Sequence, residues 1–392
     1  MYLMTLLPAL RRRLVHTALL FYALSLLSGM PVVARELPLR ATQALALDVV
    51  AISDRLLVCG DYGQILYLEN PTDSLRGTSQ WQMATVPTSA LLTAITFADN
   101  KRGWAVGHDG HVLASVDGGR NWVLQRDGLR DQKRINALAL EDVRARYANA
   151  SAALLAADDA QQRRQLAQAL EELVLDLEDA EIRTNERVHA PPLLDVYFSD
   201  PLRGVAVGAF NTLLITSDGG VTWRHHAAAL DNPDGYHINA VTGDGSGMIW
   251  LAAEGGLLFR SNDYGVSWES LNSPYAGSWF GAMRQPETGS LLVFGLRGNV
   301  FRSEDLGDTW VSVSGSSGRT LAGGVYVGAN HALLVGAVGT LLLSTDGGHS
   351  FTEAAVPQRV SLSGVGVVGS SVVLVGQGGI FTMDSPLGAH YE

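Results

Sequence analysis

The sequence has little cysteine, little charge and no long apolar run. Cys59 is the only cysteine among 392 residues, so an internal disulfide is excluded. It follows Leu56, Leu57 and Val58, and this apolar context predicts a buried small hydrophobe, not a reactive thiol. Charged residues make up 17% of the chain and give a formal net charge of -11, which disfavours non-specific binding to nucleic acid or anionic lipid.

The apolar run from Leu14 to Leu27 is too short to span a bilayer. Arg11–Arg13 precede it and the small residues Val32 and Ala34 follow it, a pattern typical of a secretory signal cleaved after Ala34. Removing the three arginines takes the formal charge from -11 to -14. An uncleaved membrane anchor is the alternative, whereas a bacterial lipoprotein anchor is not expected because no cysteine directly follows the run.

What the sequence does contain is a repeat. An eight-residue box, Ser/Thr-x-Asp-x-Gly-x-Asn/Ser/Thr-Trp/Phe, occurs five times with identical offsets, first at Ser115. Each box comes eight positions after the small residue that ends an apolar strand, and two more such strands lack a box. The seven strand-ending residues are Gly60, Gly107, Gly208, Ala253, Gly295, Gly336 and Gly376. They are separated by 47, 101, 45, 42, 41 and 40 residues, so the second interval must contain an insertion.

A unit of this length with several short apolar strands matches one four-stranded propeller blade. Seven units therefore predict an all-β, seven-bladed propeller. The last unit has no box, and an open ring would expose sheet edges. We predict that Leu37 to Leu47 supplies its missing strand and closes the ring. Glu69 to Trp81 is interpreted as a longer, degenerate box hairpin in the first blade.

The box should form the hairpin between the third and outermost strands of a blade. There the aspartate accepts backbone N–H bonds of the turn, the glycine supplies positive φ, and the ring fills the space between blades. These structural residues are Asp117, Asp218, Asp263, Asp305 and Asp346, with Trp122, Trp223, Trp268, Trp310 and Phe351.

The insertion, residues 131–190, is rich in helix-forming residues and contains neither proline nor glycine. Two helices are predicted, with a break at Asn149–Ser151 and a stop at Pro191-Pro192. Their apolar stripes are Leu166, Leu170, Leu173 and Leu177, and Ile135, Leu138 and Val143. The hairpin is either a flap packed on the propeller or an arm that grips a partner. The domain boundaries are then a signal at 1–34, blades 1 and 2 with the closing strand at 35–130, the hairpin at 131–190 and blades 3 to 7 at 191–392.

The boxes, together with Gly103-Trp104-Ala105-Val106-Gly107 and its counterpart at Gly204–Gly208, resemble the photosystem II assembly and stability factor family of Asp-box propellers. The resemblance covers the mature chain outside the insertion. It implies a propeller on the periplasmic or lumenal side of a membrane that binds an immature or accessory membrane-protein complex, in a photosystem or in another assembly such as a transporter. It also implies a basic patch, for which the candidates are Arg102, Arg203, Arg260 and Arg302.

Enzymatic alternatives have weaker support in the residues. Sialidases share the box but need an arginine cluster, a tyrosine nucleophile and an acid, and their Arg-Ile-Pro signature is absent. A glycan-binding module without turnover is a further alternative. His225 and His226 should point to opposite faces of a strand, and His108 and His111 have only Asp109 nearby, so no metal site is predicted. Gly364-x-Gly366-x-x-Gly369 precedes a strand where a dinucleotide fingerprint requires a helix.

The sequence thus predicts an exported, non-catalytic propeller that binds a membrane-protein complex without a cofactor, metal, nucleic acid or small-molecule substrate. The residues directly after the strand-ending small residues should ring the channel mouth beside the insertion. The candidate partner-binding residues are Asp61, Tyr62, His108, Asp109, Phe210, Asn211, Glu254, Arg297 and Gln377.

Overall fold

Seven antiparallel sheets surround a central channel in the computed structural model, which describes residues 40–71, 81–315 and 318–387. The predicted all-β, seven-bladed propeller is confirmed. The predicted signal at 1–34 lies outside the described residues. Among the residues that are described, no helix combines the length and apolarity needed to cross a bilayer.

Blades 1 to 4 each contain four strands, numbered from the channel outward. Blade 1 consists of Ala46–Ile52 (β1), Arg55–Gly60 (β2), Ile65–Glu69 (β3) and Gln82–Met83 (β4). Blade 2 consists of Leu92–Phe97 (β5), Gly103–Gly107 (β6), Val112–Ser115 (β7) and Val123–Arg126 (β8). Blade 3 consists of Leu193–Phe198 (β9), Gly204–Gly208 (β10), Thr212–Thr216 (β11) and Arg224–His225 (β12). Blade 4 consists of Ile238–Gly243 (β13), Ile249–Ala253 (β14), Leu258–Ser261 (β15) and Glu269–Ser270 (β16).

Blades 5 and 6 repeat this order, and blade 7 has three strands in the described part of the chain. Blade 5 consists of Trp279–Arg284 (β17), Leu291–Gly295 (β18), Val300–Ser303 (β19) and Val311–Ser312 (β20). Blade 6 consists of Leu321–Val327 (β21), His331–Gly336 (β22), Thr340–Ser344 (β23) and Thr352–Glu353 (β24). Blade 7 consists of Leu362–Val368 (β25), Ser371–Gly376 (β26) and Gly379–Asp384 (β27).

The ring closes through its innermost strands. Each first strand contacts the first strand of the next blade, and β25 contacts β1. The prediction of a closing strand at Leu37 to Leu47 is wrong for those of its residues that the structure describes. Residues Ala41–Gln43 form a 3-10 turn against β27, and Ala46 and Leu47 begin β1. Residues 37–39 lie outside the description, as does most of the predicted box hairpin between Glu69 and Trp81.

The second strand of each blade forms the centre of the core. In blades 1 to 5 every residue of this strand is buried, because both sheet faces are covered by neighbouring blades. The buried apolar residues of the described chain form seven clusters, and each cluster joins two adjacent blades. Seven interfaces of this kind replace the single core that limits the size of an ordinary domain.

The boxes form the turns that lead into the outermost strands. Asp117 Oδ1 accepts the hydroxyl of Ser115 and the backbone N–H groups of Arg120 and Asn121, at 2.9 to 3.0 Å. Each box ring packs into the cluster shared with the preceding blade, as Trp122 does between blades 1 and 2. The other rings in such positions are Trp223, Trp268, Trp310 and Phe351.

The insertion forms a hairpin of two helices, Gly128–Ala156 (α1) and Ala160–Asn185 (α2). Asp127 caps α1 by accepting the N–H of Arg130, and Asp159 caps α2 by accepting that of Gln162. The predicted break at Asn149–Ser151 is wrong, because those residues continue α1. The chain turns at Ala157–Asp159 instead, where the capping aspartate satisfies a backbone donor of the second helix.

Candidate partner-binding face

The turn after the second strand has the same construction in every blade. Its first backbone N–H donates to the carbonyl oxygen just before the first strand of the same blade, as Asp61 does to Leu45 and His108 to Leu91, both at 2.9 Å. All seven turns therefore lie on one face of the propeller, which we call the mouth face. The boxes lie at the opposite ends of the strands.

The middle residue of each mouth turn adopts a positive φ. Five of the seven positions carry a side chain there: Tyr62, Asp109, Phe210, Arg297 and Val338, with φ between 54° and 59°. Such a conformation costs an L-residue roughly 1–2 kcal/mol relative to glycine. In the box turns the residue directly before the box glycine also has a positive φ, and it is glycine in three of five cases. The mouth face thus keeps side chains where the backbone favours glycine, and strain of this kind supports a functional hypothesis.

Three of these strained side chains are apolar and exposed. Tyr62 and Phe210 each have 68% of their surface accessible, and Val338 has 58%. Val338 is not among the partner-binding residues predicted from the sequence. Its position, two residues after the strand-ending Gly336, is the signal that would have identified it. These three side chains belong to blades 1, 3 and 6, so they are spread around the ring.

The other predicted partner-binding residues also lie on the mouth face, but only some contact one another. At the mouth of blades 3 and 4, the Phe210 ring packs on the His237 ring with their centroids 4.8 Å apart. His237 Nδ1 in turn lies 3.0 Å from Glu254 Oε2. Asn211 Oδ1 accepts the side-chain amide of Asn232 at 3.0 Å. The remaining predicted residues, Asp61, His108, Arg297 and Gln377, stand in separate turns. The set is a rim around the channel, not a single pocket.

The insertion is attached beside one of these turns. A Cβ atom added to Gly110 in ideal geometry would lie 3.2 Å from the Cα of Gly128 and 3.4 Å from the carbonyl oxygen of Pro191. Both ends of the hairpin therefore meet the same mouth turn. Arg126 is 9% exposed and links the parts. It donates to the carbonyl oxygen of Gly110 at 2.6 Å, lies 2.9 Å from Asp131 of α1 and approaches His225 of blade 3 at 3.4 Å.

Burial at this junction lowers the pKa values of two basic groups. Burial lowers the pKa of Arg126, while the carboxylate of Asp131 acts in the opposite direction. Burial also lowers the pKa of His225, and the neighbouring Arg126 lowers it further. His226, the next residue, approaches the carbonyl oxygen of Val266 at 2.7 Å, so the two adjacent histidines meet different partners.

Beyond its root, the hairpin packs on itself. The α2 stripe was predicted correctly: Leu173 is buried, and Leu166, Leu170 and Leu177 are partly buried. The α1 stripe was predicted correctly only at Val143, because Ile135 and Leu138 are 42% and 56% exposed. Residues at the seam of α1 include Asn136, Leu140, Val143 and Tyr147. Because each helix buries its stripe against the other, the hairpin has the geometry of an arm and not of a flap laid on the blades.

The central channel has a volume of about 660 Å³ and a mostly apolar wall, with Phe280, Met283 and Val325 on one side. Polar side chains from several blades link first strands across the junctions. Thr93 donates to the carbonyl oxygen of Leu193 at 2.8 Å, and Ser363 donates to that of Ala46 at 2.8 Å. These bonds tie the blades to one another around the channel.

Two aspartates form similar links and were missed from the sequence. Asp48 accepts the N–H groups of Val49 and of Ile95 in blade 2, and Asp195 accepts those of Val196 and of Val241 in blade 4, all at 2.8 to 2.9 Å. Burial raises the pKa of Asp48 to about 6 and that of Asp195 to about 7, against the opposing effect of the backbone bonds. The shared pattern Leu-Asp-Val, a lone carboxylate in an apolar strand, was the available signal.

The four arginines considered for a basic patch are all paired with carboxylates. Arg102 pairs with Asp99 at 2.7 Å and Arg203 with Asp200 at 2.6 Å. Arg260 pairs with Glu269 at 2.7 Å and with Asp308 at 2.9 Å, and Arg302 pairs with Glu304. Their positive charge is therefore locally compensated.

The glycine string at Gly364, Gly366 and Gly369 lies in β25 and in its turn to β26. In blade 2, His111 Nδ1 lies 3.1 Å from Thr88 Oγ1, while His108 is exposed.

Comparison with known proteins identifies relatives of this chain. The family model described as photosynthesis system II assembly factor YCF48 matches residues 74–163 and 178–323, which is more than half of the chain. The photosystem II assembly lipoprotein Ycf48 of Synechococcus sp. (strain CC9902) is 38% identical over 79 residues, 20% of this chain and 23% of the relative. The chloroplastic photosystem II stability/assembly factor HCF136 of Arabidopsis thaliana is 31% identical over 102 residues, 24% of this chain and 25% of the relative. The matched region is thus about a quarter or less of these curated relatives.

Solved structures show the same fold. A structure titled YCF48 bound to D1 peptide aligns with a TM-score of 0.56 and 16% identity, covering 90% of this chain and 96% of that one. YCF48 from Cyanidioschyzon merolae aligns with a TM-score of 0.56 and 13% identity, covering 90% and 98%. A GH74 enzyme from Niastella koreensis aligns with a TM-score of 0.58 and 14% identity, covering 88% of this chain and 53% of that one. At these identities the likeness shows the propeller and not its activity.

Proposed function

The chain belongs to the photosynthesis system II assembly factor YCF48 family, and from this premise we propose that it is an exported, non-catalytic propeller that binds a membrane-protein complex through its mouth face. The observation that carries this proposal is the set of exposed apolar side chains held in left-handed backbone at the tips of the mouth turns. Exposed aromatic side chains are strong candidates for binding hot spots, since they bury much area at little conformational cost.

The relatives support the kind of partner. Curated relatives are named as photosystem II assembly or stability factors, and one solved YCF48 structure holds a D1 peptide. For this chain we propose an immature or accessory membrane complex as the client, in a photosystem or in another assembly such as a transporter. Export by a cleavable signal at 1–34 would place it on the periplasmic or lumenal side, at the surface of that complex.

We propose that the channel is structural and not an active site. A carboxylate pair with raised pKa values is what acid–base hydrolysis would use. In this channel, however, every oxygen of Asp48 and Asp195 already accepts a backbone N–H. The described residues that line the channel also include no arginine or tyrosine, which a sialidase-like site requires. We therefore expect no turnover of sialosides or other glycans.

The test is co-purification of the tagged full-length protein after cross-linking in intact cells. Tyr62→Ala combined with Phe210→Ala removes two exposed rings from the mouth face. Val266→Ala combined with Val311→Ala is the matched control, because these side chains are 58% and 70% exposed at the opposite end of the blades. We expect the mouth variant to reduce recovery of membrane proteins roughly tenfold or more, and the control to leave it unchanged.

Thermal unfolding should be the same for both variants, which separates binding from folding. Equal losses in the two variants would contradict a mouth-face site. Recovery of soluble glycans alone, or of no membrane protein with the unaltered chain, would contradict the proposed function itself.

A further inference from the structure

The outward face of α2 combines exposed apolar side chains with unpaired carboxylates. Glu171, Leu175, Glu178 and Ile182 follow a spacing of four, three and four residues, which aligns them along one face of a helix. Leu175 is 65% exposed and Ile182 is 52% exposed. The buried stripe of α2 that contains Leu173 lies on the opposite side, so packing within the hairpin leaves this outward face uncovered.

The charge on this part of α2 is strongly one-sided. Six carboxylates and no basic residue occur between residues 171 and 181. Three of the six are compensated, since Asp176 and Glu181 pair with arginines of α1 and Asp179 pairs with Arg183. Glu171, Glu172 and Glu178 form no ion pair with the residues that the structure describes. Two of these three glutamates flank Leu175 on the outward face itself.

We propose that this face docks a basic amphipathic helix of the membrane client, which rests on the function proposed above. Leu175 and Ile182 are two helical turns apart, about 10 Å along the axis. A partner helix with apolar residues seven positions apart would cover both, and Lys or Arg side chains between and beside them would meet Glu171 and Glu178.

Two other occupants fit the face less well. An anionic bilayer surface would be repelled by the carboxylates. A second copy of this chain could offer Leu138 and Arg134 on the outward face of α1, but that face lies on the opposite side of the hairpin. Pairing α1 of one copy with α2 of the next would therefore give an open chain of molecules instead of a closed dimer.

The first experiment measures binding of the full-length protein to a labelled synthetic helix. The peptide contains only Leu and Lys in an amphipathic pattern of about five turns, and a second peptide carries Glu in place of Lys. The face variant is Glu171→Lys with Glu178→Lys. The charge-matched control is Glu141→Lys with Asp158→Lys, which changes two exposed carboxylates of the same arm off this face.

We expect the face variant to weaken binding of the Lys peptide about tenfold or more, and the control to weaken it less than about twofold. Leu175→Ser with Ile182→Ser should weaken binding similarly to the face variant, whereas Leu155→Ser, at an 86% exposed site elsewhere on the arm, should not. Equal effects of the two charge reversals, or equal binding of the Glu peptide, would overturn the proposal. Helical circular dichroism should be unchanged in every variant.

The second experiment places a photo-cross-linking amino acid at position 175 or, as a control, at position 155 in cells. We expect position 175 to capture client peptides in which Lys or Arg flank apolar residues at helical spacing. Capture of lipid or of a second copy, or no capture in excess of position 155, would overturn the proposal. If the client still co-purifies in these cases, the proposed function stands and only the α2 site fails. If the client never co-purifies, the proposed function fails as well.

Discussion

The two channel aspartates predict a loss of stability as pH rises towards neutrality. Asp195 has a pKa of about 7 in the folded chain, against an ordinary value of 3.8. The folded state therefore holds its proton more tightly than the unfolded state does. This contribution to stability is complete below the ordinary pKa and is lost as pH rises through about 7.

A shift from 3.8 to about 7 corresponds to about 4 kcal/mol at most. The carboxylate borders the channel and is only partly covered by protein, so we expect about 2 kcal/mol from Asp195. Asp48, with a pKa of about 6, adds a loss of the same sign at slightly lower pH. Asp263, Asp305 and Asp346 of the boxes act in the opposite direction at lower pH, because hydrogen bonds within their turns lower their pKa values, that of Asp346 to about 2.

The assay is urea unfolding between about pH 4.5 and pH 8, which is the window of the channel groups. Asp195→Asn removes the titration but keeps an oxygen that can accept one of the two N–H groups. We expect its free energy of unfolding to fall less with rising pH than that of the unaltered chain, by about 2 kcal/mol over this window. Asp231→Asn, at an exposed carboxylate outside the channel, has the same change in charge and is the control. Equal slopes for the unaltered chain and Asp195→Asn would refute the reasoning.

Two further predictions concern the box and the root of the arm. Asp117→Ala removes the acceptor of three hydrogen bonds through Oδ1 and of one through Oδ2. It should lower the free energy of unfolding, measured by urea titration, by about 2–3 kcal/mol. The control Asp231→Ala should lower it by no more than about 0.5 kcal/mol, and an equal effect of the two substitutions would contradict the structural role of the box. Arg126→Met leaves the Gly110 carbonyl and Asp131 without their buried partner, and should speed hydrogen exchange in the first turn of α1. The exposed Arg187→Met is its control, and unchanged exchange in Arg126→Met would show that this arginine does not fix the arm.

The propeller could be predicted from sequence because its information is local and repeated. Each box contains its own turn, and constant offsets from Ser115 to Phe351 reveal the blade length without any long-range contact. The ring closure has no repeat behind it. Ala46 and Leu47 were assigned to a closing strand because the last unit is one strand short, yet they begin β1. The number of strands in the ring shows that one is missing, but it does not identify the residues that form it.

The errors in the hairpin have a different cause. Asn149 and Ser151 have low intrinsic helix propensity, but a difference of a few tenths of a kcal/mol is outweighed by packing in a long helix. The cap at Asp159 contributes about 1 kcal/mol and is a stronger signal for the turn. In α1 the apolar residue Leu138 lies off the seam and Ile135 lies at its exposed edge, while Asn136 lies on it and donates to the carbonyl oxygen of Arg183. Hydrophobicity alone could not identify that stripe.

The mouth rim was predictable by position, but its geometry was not. The sequence places Tyr62 and Phe210 after strand-ending small residues, and repetition alone would have added Val338. Their left-handed backbone and high exposure appear only in the structure, because three different side chains stand where a glycine would be the expected residue. The Leu-Asp-Val strands show the same limit: the carboxylate is visible in sequence, but its bond to the next blade is not.

The attachment of the arm predicts that it can be removed without unfolding the propeller. Both of its ends meet the turn at Gly110, and an ideal Cβ at Gly128 would lie 3.0 Å from Cβ of Ala190. A short Gly-Ser linker can therefore join Gly128 to Ala190 in place of residues 129–189, with little strain and a small entropy of loop closure. Each helix buries its seam against the other, so the deletion exposes little of the blade core. We expect the near-ultraviolet circular dichroism of the tryptophans to be retained and the melting temperature to fall by no more than about 5 °C.

Replacing blade 4, residues 238–276, by the same linker is the contrasting deletion, because it removes two of the seven inter-blade clusters and should abolish the cooperative transition. Collapse of the propeller on removal of the arm alone would show that the hairpin is part of the core and not an appendage.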